Sequence, residues 1–171
     1  SHSNNTAAKK GVPSAGNDLI VRSHAYRVNF LGGNPLAEVV ADKMLPTYNN
    51  YFIGNDPSKW ATNVKIYQGV TLKNIYPNVD VRYYSGDNGV KYDLIVHPGG
   101  NPNDIALKYD GTEGMEIRNK ELLVKTSVGT LKELNPYTYQ YNPAGRVSID
   151  AKYTLKDNIV RFNIKNYNPN T

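Results

Sequence analysis

The chain has 171 residues, 20 Lys and Arg against 15 Asp and Glu, and no cysteine. That length suits one domain with a real core and is short for two, while the lack of cysteine excludes disulfides, thiolate metal sites and cysteine nucleophiles. The formal charge of +5 invites an anionic partner, yet apart from Lys9-Lys10 the cations are spaced singly, as on solvated outer faces, so no nucleic-acid surface is expected.

Residues 1–18 mix Ser, Asn, Ala, Gly and Pro with almost no aliphatic content, which predicts a flexible lead-in ahead of a single domain over 19–171. No aliphatic run approaches a membrane span, and no membrane insertion is expected. Tyr26, Val28 and Phe30 alternate with Arg27 and Asn29, the pattern of a strand, and a second short strand is expected from Leu36 to Ala41. Lys43 to Trp60, punctuated by Pro46, Gly54 and Pro57, reads as an ordered loop in which Asp56 caps a helical turn opened by Pro57. Val64 to Ile75 reads as one β region with Val64, Ile66, Val70 and Leu72 inward and a bend at Gly69.

Tyr76 to Pro102 is the best-defined stretch. Val79, Val81 and Tyr83 alternate in a first strand and Val90, Tyr92, Leu94 and Val96 in a second, joined through a two-residue Asp87-Asn88 turn. With Gly86 opposite Gly89, Arg82 faces Asp93 and Tyr84 faces Lys91; a shift of two would set Asp80 against Asp93 and Arg82 against Lys91, which like-charge repulsion disfavours. Further short strands follow at Ile105 to Tyr109, Met115 to Ile117, Leu122 to Thr126, Thr130 to Leu134, around Tyr137, Tyr139 and Tyr141, and at Val147 to Leu155 pairing with Ile159 to Ile164. Turn signals recur every eight to twelve residues or so with no helical periodicity, which predicts an all-β antiparallel sandwich of short strands and hairpins with at most one short helical turn.

Candidate sites are few. Asp80 and Asp93 share one hairpin face and invite an acid/base reading, but a surface salt-bridge cluster with Arg82 is the better account of them, and no catalytic residue is expected. Asp87-Asn88-Gly89 and Asn101-Pro102-Asn103-Asp104 are oxygen-rich, yet turn chemistry alone explains their composition. His24 and His97 have no Asp or Glu at ligand spacing along the chain, and no zinc or other cofactor is expected. Tyr48, Tyr51, Asn55, Asp56 and Trp60 form the candidate ligand-binding set: aromatic faces beside amide and carboxylate groups suit a sugar, but they better suit an irregular loop pinned to the sandwich by its rings and satisfied by its Asn and Asp.

The segments NYFIGND-PSKW, NIYPNVDVRYY, KYDLIVHPGGNPNDIALKYDG and LLVKTSVGTLKELNPYTYQ, in that order, resemble an uncharacterised bacterial extracellular domain that precedes SBBP (seven-bladed β-propeller) repeats in secreted and gliding-motility-associated surface proteins. The resemblance runs from about His24 to Asn168. It implies an extracellular or cell-surface module, in many cases a substrate of type IX secretion, with no catalytic activity to carry over. The ENKGQW-like start of such domains has no counterpart here, so the chain reads as the C-terminal portion of the module, with an open edge expected at Tyr26 to Phe30 for a partner strand or a second copy. The expected function is a non-catalytic structural, adhesion or docking module; the alternative is a carbohydrate-binding module using the Tyr48 to Trp60 loop, and a glycan-processing enzyme is a third reading.

Overall fold

The computed structural model describes residues 21–86 and 89–171; the lead-in expected over 1–18 and the Asp87-Asn88 turn lie outside them. Among the described residues there are fifteen strands in five antiparallel sheets and two isolated helical turns. One four-stranded sheet is ordered β1 (Arg27–Phe30), β8 (Leu107–Asp110), β15 (Ile159–Ile164), β14 (Ala151–Lys156). A second is ordered β2 (Glu38–Ala41), β5 (Gly69–Tyr76), β6 (Val79–Gly86), β7 (Gly89–Val96). A three-stranded sheet runs β11 (Gly129–Glu133), β10 (Glu121–Thr126), β9 (Gly114–Arg118). Two hairpins stand apart as sheets of their own: β3 (Met44–Tyr51) with β4 (Ala61–Tyr67), and β12 (Thr138–Asn142) with β13 (Gly145–Ile149).

The fold is all-β, and the alternation in the sequence explains why. Val79 and Val81 are completely buried, as are Leu122 and Val124 from β10 and Val160 from β15; with Ile75, Tyr76, Leu107, Tyr109 and Phe162 they form the core where the three larger sheets meet. Each such side chain contributes about 1.5–3 kcal/mol by leaving water. Tyr83, Tyr92, Leu94 and Val96 point the same way and pack half-buried against this core. The β6–β7 register is the expected one, with Arg82 opposite Asp93, Tyr84 opposite Lys91 and Gly86 opposite Gly89. The β5–β6 turn places Pro77 before Asn78, whose φ of 57° supplies the left-handed residue that a type II turn requires after proline.

Three expectations are corrected. Met44–Tyr51 is a strand rather than part of a loop; between the pairs Met44 with Tyr67 and Tyr48 with Lys65 it carries two more residues than its partner, and this bulge around Pro46 erases the alternation that marks a strand. The region Val64 to Ile75 is two strands, because the chain leaves β4 after Tyr67 and enters a different sheet at Gly69. Val64 is accordingly exposed rather than inward. Val147 to Leu155 likewise divides at Asp150, a poor strand residue, so that Val147 pairs with Gln140 and only Ala151–Lys156 pairs with β15. Asp56 does cap a helical turn over Pro57–Lys59, and Asn101 caps a second one over Pro102–Asp104 by the same Asx-Pro chemistry.

Candidate functional site

Three surfaces carry chemistry, and the first is the Asp80 group on the outer face of the β5–β6–β7 sheet. Asp80 is only 2% exposed. Its Oδ2 accepts hydrogen bonds from Lys73 Nζ at 2.6 Å and His97 Nε2 at 2.9 Å, and its Oδ1 accepts from Asn74 N–H at 2.8 Å. Asn74 donates from a bulge in β5, where its φ is 51° and the register with β6 shifts. Burial alone would raise the carboxyl pKa, but the hydrogen bonds from Lys73, Asn74 and His97 outweigh it and lower the pKa to about 2. Asp80 is thus an anion at neutral pH that clasps β5, β6 and the end of β7.

This arrangement corrects the reading of Asp80, Asp93 and Arg82 as one surface cluster. Arg82 turns from Asp93, directly opposite it, to Asp42, whose Oδ2 receives Nε at 2.8 Å and Nη2 at 2.6 Å. Asp93 instead accepts the Tyr84 hydroxyl at 3.2 Å. The two carboxylates therefore have separate partners, and His97 has an acidic neighbour that its local sequence does not reveal. Both ring nitrogens of His24 are also engaged, Nδ1 with Ser127 Oγ at 2.9 Å and Nε2 with the Gly111 carbonyl at 2.7 Å, joining two turns. Asn101 Oδ1 accepts from Asn103 N–H and its Nδ2 donates to Asp104, so the oxygen atoms of that turn serve the turn itself.

The second surface is the β3–β4 hairpin, which holds the candidate ligand-binding residues. Tyr48, opposite Lys65, shares a face with Met44 and Tyr67, while Val64 lies on the other face opposite Asn49, whose Nδ2 donates to the Tyr51 hydroxyl at 3.2 Å. At the tip, Trp60 and Phe52 pack edge to face with centroids 5.4 Å apart, and the indole N–H donates to the Gly54 carbonyl at 3.2 Å. Trp60 nevertheless remains 41% exposed and Phe52 59% exposed. Of the polar members of the set, Asp56 is tied to the hairpin: its Oδ1 accepts from both the N–H and the hydroxyl of Ser58, and Lys59 lies 3.6 Å from its other oxygen. Asn50 Oδ1 accepts from Asn63 N–H. Asn55 makes no side-chain hydrogen bond among the described residues and is exposed. The rings thus pin the tip to itself rather than to the sandwich.

The third surface is the β12–β13 hairpin, whose sequence shows only the alternation of an ordinary strand. Tyr137, Tyr139 and Tyr141 form a row with centroid spacings of 5.6 and 5.7 Å, and the Arg146 guanidinium lies 5.7 Å from the Tyr137 ring centroid and 5.2 Å from that of Tyr139. Burial and, after it, the Asp93 carboxylate raise the pKa of Tyr84 on β6. Neither the β3–β4 nor the β12–β13 hairpin contributes a residue to the core. Two open surface clefts of about 370 and 340 Å³ lie beside β1 and beside Tyr76-Pro77, away from all three surfaces. Among the described residues no group of three His, Cys, Asp or Glu is placed to hold a metal ion, and no helix is long and apolar enough to cross a membrane.

An all-β domain of stacked antiparallel sheets, with a buried anionic clasp and two hairpins standing outside the core, is the class of protein that the fold defines. The whole chain, residues 1–171, matches the family described as Domain of unknown function (DUF7948), and the protein belongs to that family. No curated protein and no solved structure matches it.

Proposed function

We propose that the chain is a non-catalytic docking module of a secreted or cell-surface bacterial protein, and that the β3–β4 hairpin is its contact surface for a neighbouring protein domain. The observation that carries this reading is that both faces of the hairpin and its tip expose apolar side chains, Met44, Tyr48 and Tyr67 on one face, Val64 on the other and Phe52, Ile53 and Trp60 at the tip, while Asn49, Asn50 and Asp56 bond within the hairpin. A protein partner can cover both faces and the tip; aromatic anchors of this kind dominate protein interfaces. A non-catalytic role is supported by Asp80, whose two oxygens are taken by Lys73, Asn74 and His97, and by Asp93, which is tied to Tyr84.

The resemblance to the domain ahead of SBBP repeats supplies the partner to test first, a propeller-repeat domain produced separately and added in trans. Hydrogen exchange of the β3 and β4 amides should slow on mixing, and Tyr48→Ala with Phe52→Ala should abolish that protection without moving the unfolding midpoint. Unchanged exchange across Met44–Tyr51 and Ala61–Tyr67 at saturating partner would sink the docking reading.

A second reading, carbohydrate binding at the same tip, is favoured by Trp60, whose ring stays part-exposed while its N–H is fixed by Gly54. Glycan-array binding lost in Trp60→Ala would support it. A further mode of docking is strand addition at β1, which pairs with β8 on one side and has no strand on the other among the described residues. Sizing at several concentrations reads this out: a particle that stays monomeric at every concentration argues against pairing between copies.

A further inference from the structure

The β12–β13 hairpin has a front and a back that differ in chemistry. At the back, Gln140 Nε2 donates to the Asn168 carbonyl at 2.7 Å and Asn168 N–H donates to Gln140 Oε1 at 2.8 Å, so the C-terminal segment is strapped to that face. Gln140 pairs with Val147, whereas Tyr139 pairs with Ser148 and Tyr141 with Arg146, which puts Tyr139, Tyr141 and Arg146 together on the front. The front is open: Tyr137 is 68% and Tyr141 62% exposed.

Among the described residues none of the three tyrosine hydroxyls has a hydrogen-bond partner, and Arg146 has no carboxylate within ion-pair distance; its guanidinium is held only by the rings of Tyr137 and Tyr139. The front therefore offers three things together: apolar ring surface in a row, a set of unpaired hydroxyls, and one uncompensated planar cation with several free N–H donors.

We propose that this front is a binding site for an acidic polysaccharide, with Tyr137, Tyr139 and Tyr141 contacting successive sugar units and Arg146 pairing with a uronate carboxylate. The ring centroids are 5.6 and 5.7 Å apart and the ring planes are inclined at 45° and 87°, so the row offers ring faces and edges in turn, along which a flexible polymer packs rather than on a flat platform. The apolar C–H faces and edges of the sugars pack on the rings and their hydroxyls bond to the phenol oxygens. Charge complementarity selects the acidic polymer, since Arg146 lacks an internal acid and the chain carries a formal charge of +5. This site is independent of the β3–β4 hairpin and stands or falls without it.

The test titrates the full chain with polygalacturonate and with the same polymer after reduction of its carboxyls to alcohols. The acidic polymer should bind at least about tenfold more tightly than the neutral one, the loss expected for a charge-assisted hydrogen bond, and its binding should weaken with salt. Arg146→Gln should reduce affinity by about the same factor, Arg146→Lys should restore part of it, and Tyr137→Ala with Tyr141→Ala should remove binding. The charge control Lys156→Gln should bind like the parent chain. Equal affinity for both polymers, binding to neither, or Arg146→Gln and the double tyrosine variant binding like the parent at unchanged unfolding midpoint overturns the proposal.

Discussion

A carboxylate that is 2% exposed persists in a β-sandwich only when donors replace the water it has lost, and Asp80 has Lys73, His97 and the Asn74 N–H. The depressed pKa has a defined consequence for stability. The charged form contributes stability that is fully present above the ordinary value of 3.8 and is lost as pH falls toward about 2, worth about 2 kcal/mol in all. Urea unfolding from pH 6 down to pH 2 should show that loss, and Asp80→Asn should be less stable at pH 6 by about the same amount and flatter across the acid range. Gly69 gives a second prediction at this scale: a Cβ there would meet both Asp42 Oδ2 and the Tyr83 carbonyl at 2.7 Å, so Gly69→Ala should cost about 1–3 kcal/mol in denaturant unfolding. The Asp80–His97 contact was in fact legible. Once Asp80 is set opposite Ile95, His97 is its diagonal neighbour on the same face, but a search for acids along the chain near His97 does not look across the hairpin. Arg82 was not legible, because Asp42 comes from a connection forty positions away and prevails over the acid directly opposite.

Strands that alternate strictly were readable as elements, and β6 and β7 show why: each has one face on the core, so a period of two is imposed by burial. The β3 strand has neither condition, since it is bulged and both its faces are wet, and nothing in its sequence forces a period. The junction at Asp150 was hidden for a different reason, because an aliphatic pattern continues through it while the pairing partner changes from β12 to β15. Within the body, β10 and β11 are the elements to probe. Leu122 is completely buried, and Leu122→Ala should destabilise by about 2–5 kcal/mol in urea unfolding. Glu133 at the end of β11 accepts the hydroxyls of Tyr109 at 2.8 Å and Tyr92 at 3.0 Å, which ties the three-stranded sheet to both larger ones.

For the molecule as a whole, those tyrosines set the behaviour in alkali. Burial above all, with the Glu133 carboxylate adding to it, pushes Tyr92, Tyr109 and Tyr153 well above the ordinary value of 10.0. A raised pKa means that their contribution is complete below pH 10 and is lost as pH rises beyond it, when the unfolded chain can ionise and the folded one cannot. Unfolding midpoints should therefore fall above about pH 10, with a shallower fall in Glu133→Gln. Tyr48→Ala, Trp60→Ala and Arg146→Gln, by contrast, lie on hairpins that give nothing to the core and should shift stability by no more than about 0.5 kcal/mol. That separation bears on how such a domain changes over time. Where a residue that meets a partner also holds the fold, drift in recognition is checked by the risk of unfolding. Here the two hairpins are free of that constraint, and a comparison of family members should find β6, β10 and β15 slow to vary and β3–β4 and β12–β13 varying quickly, each hairpin exchangeable as a cassette between relatives that keep one body and meet different surroundings.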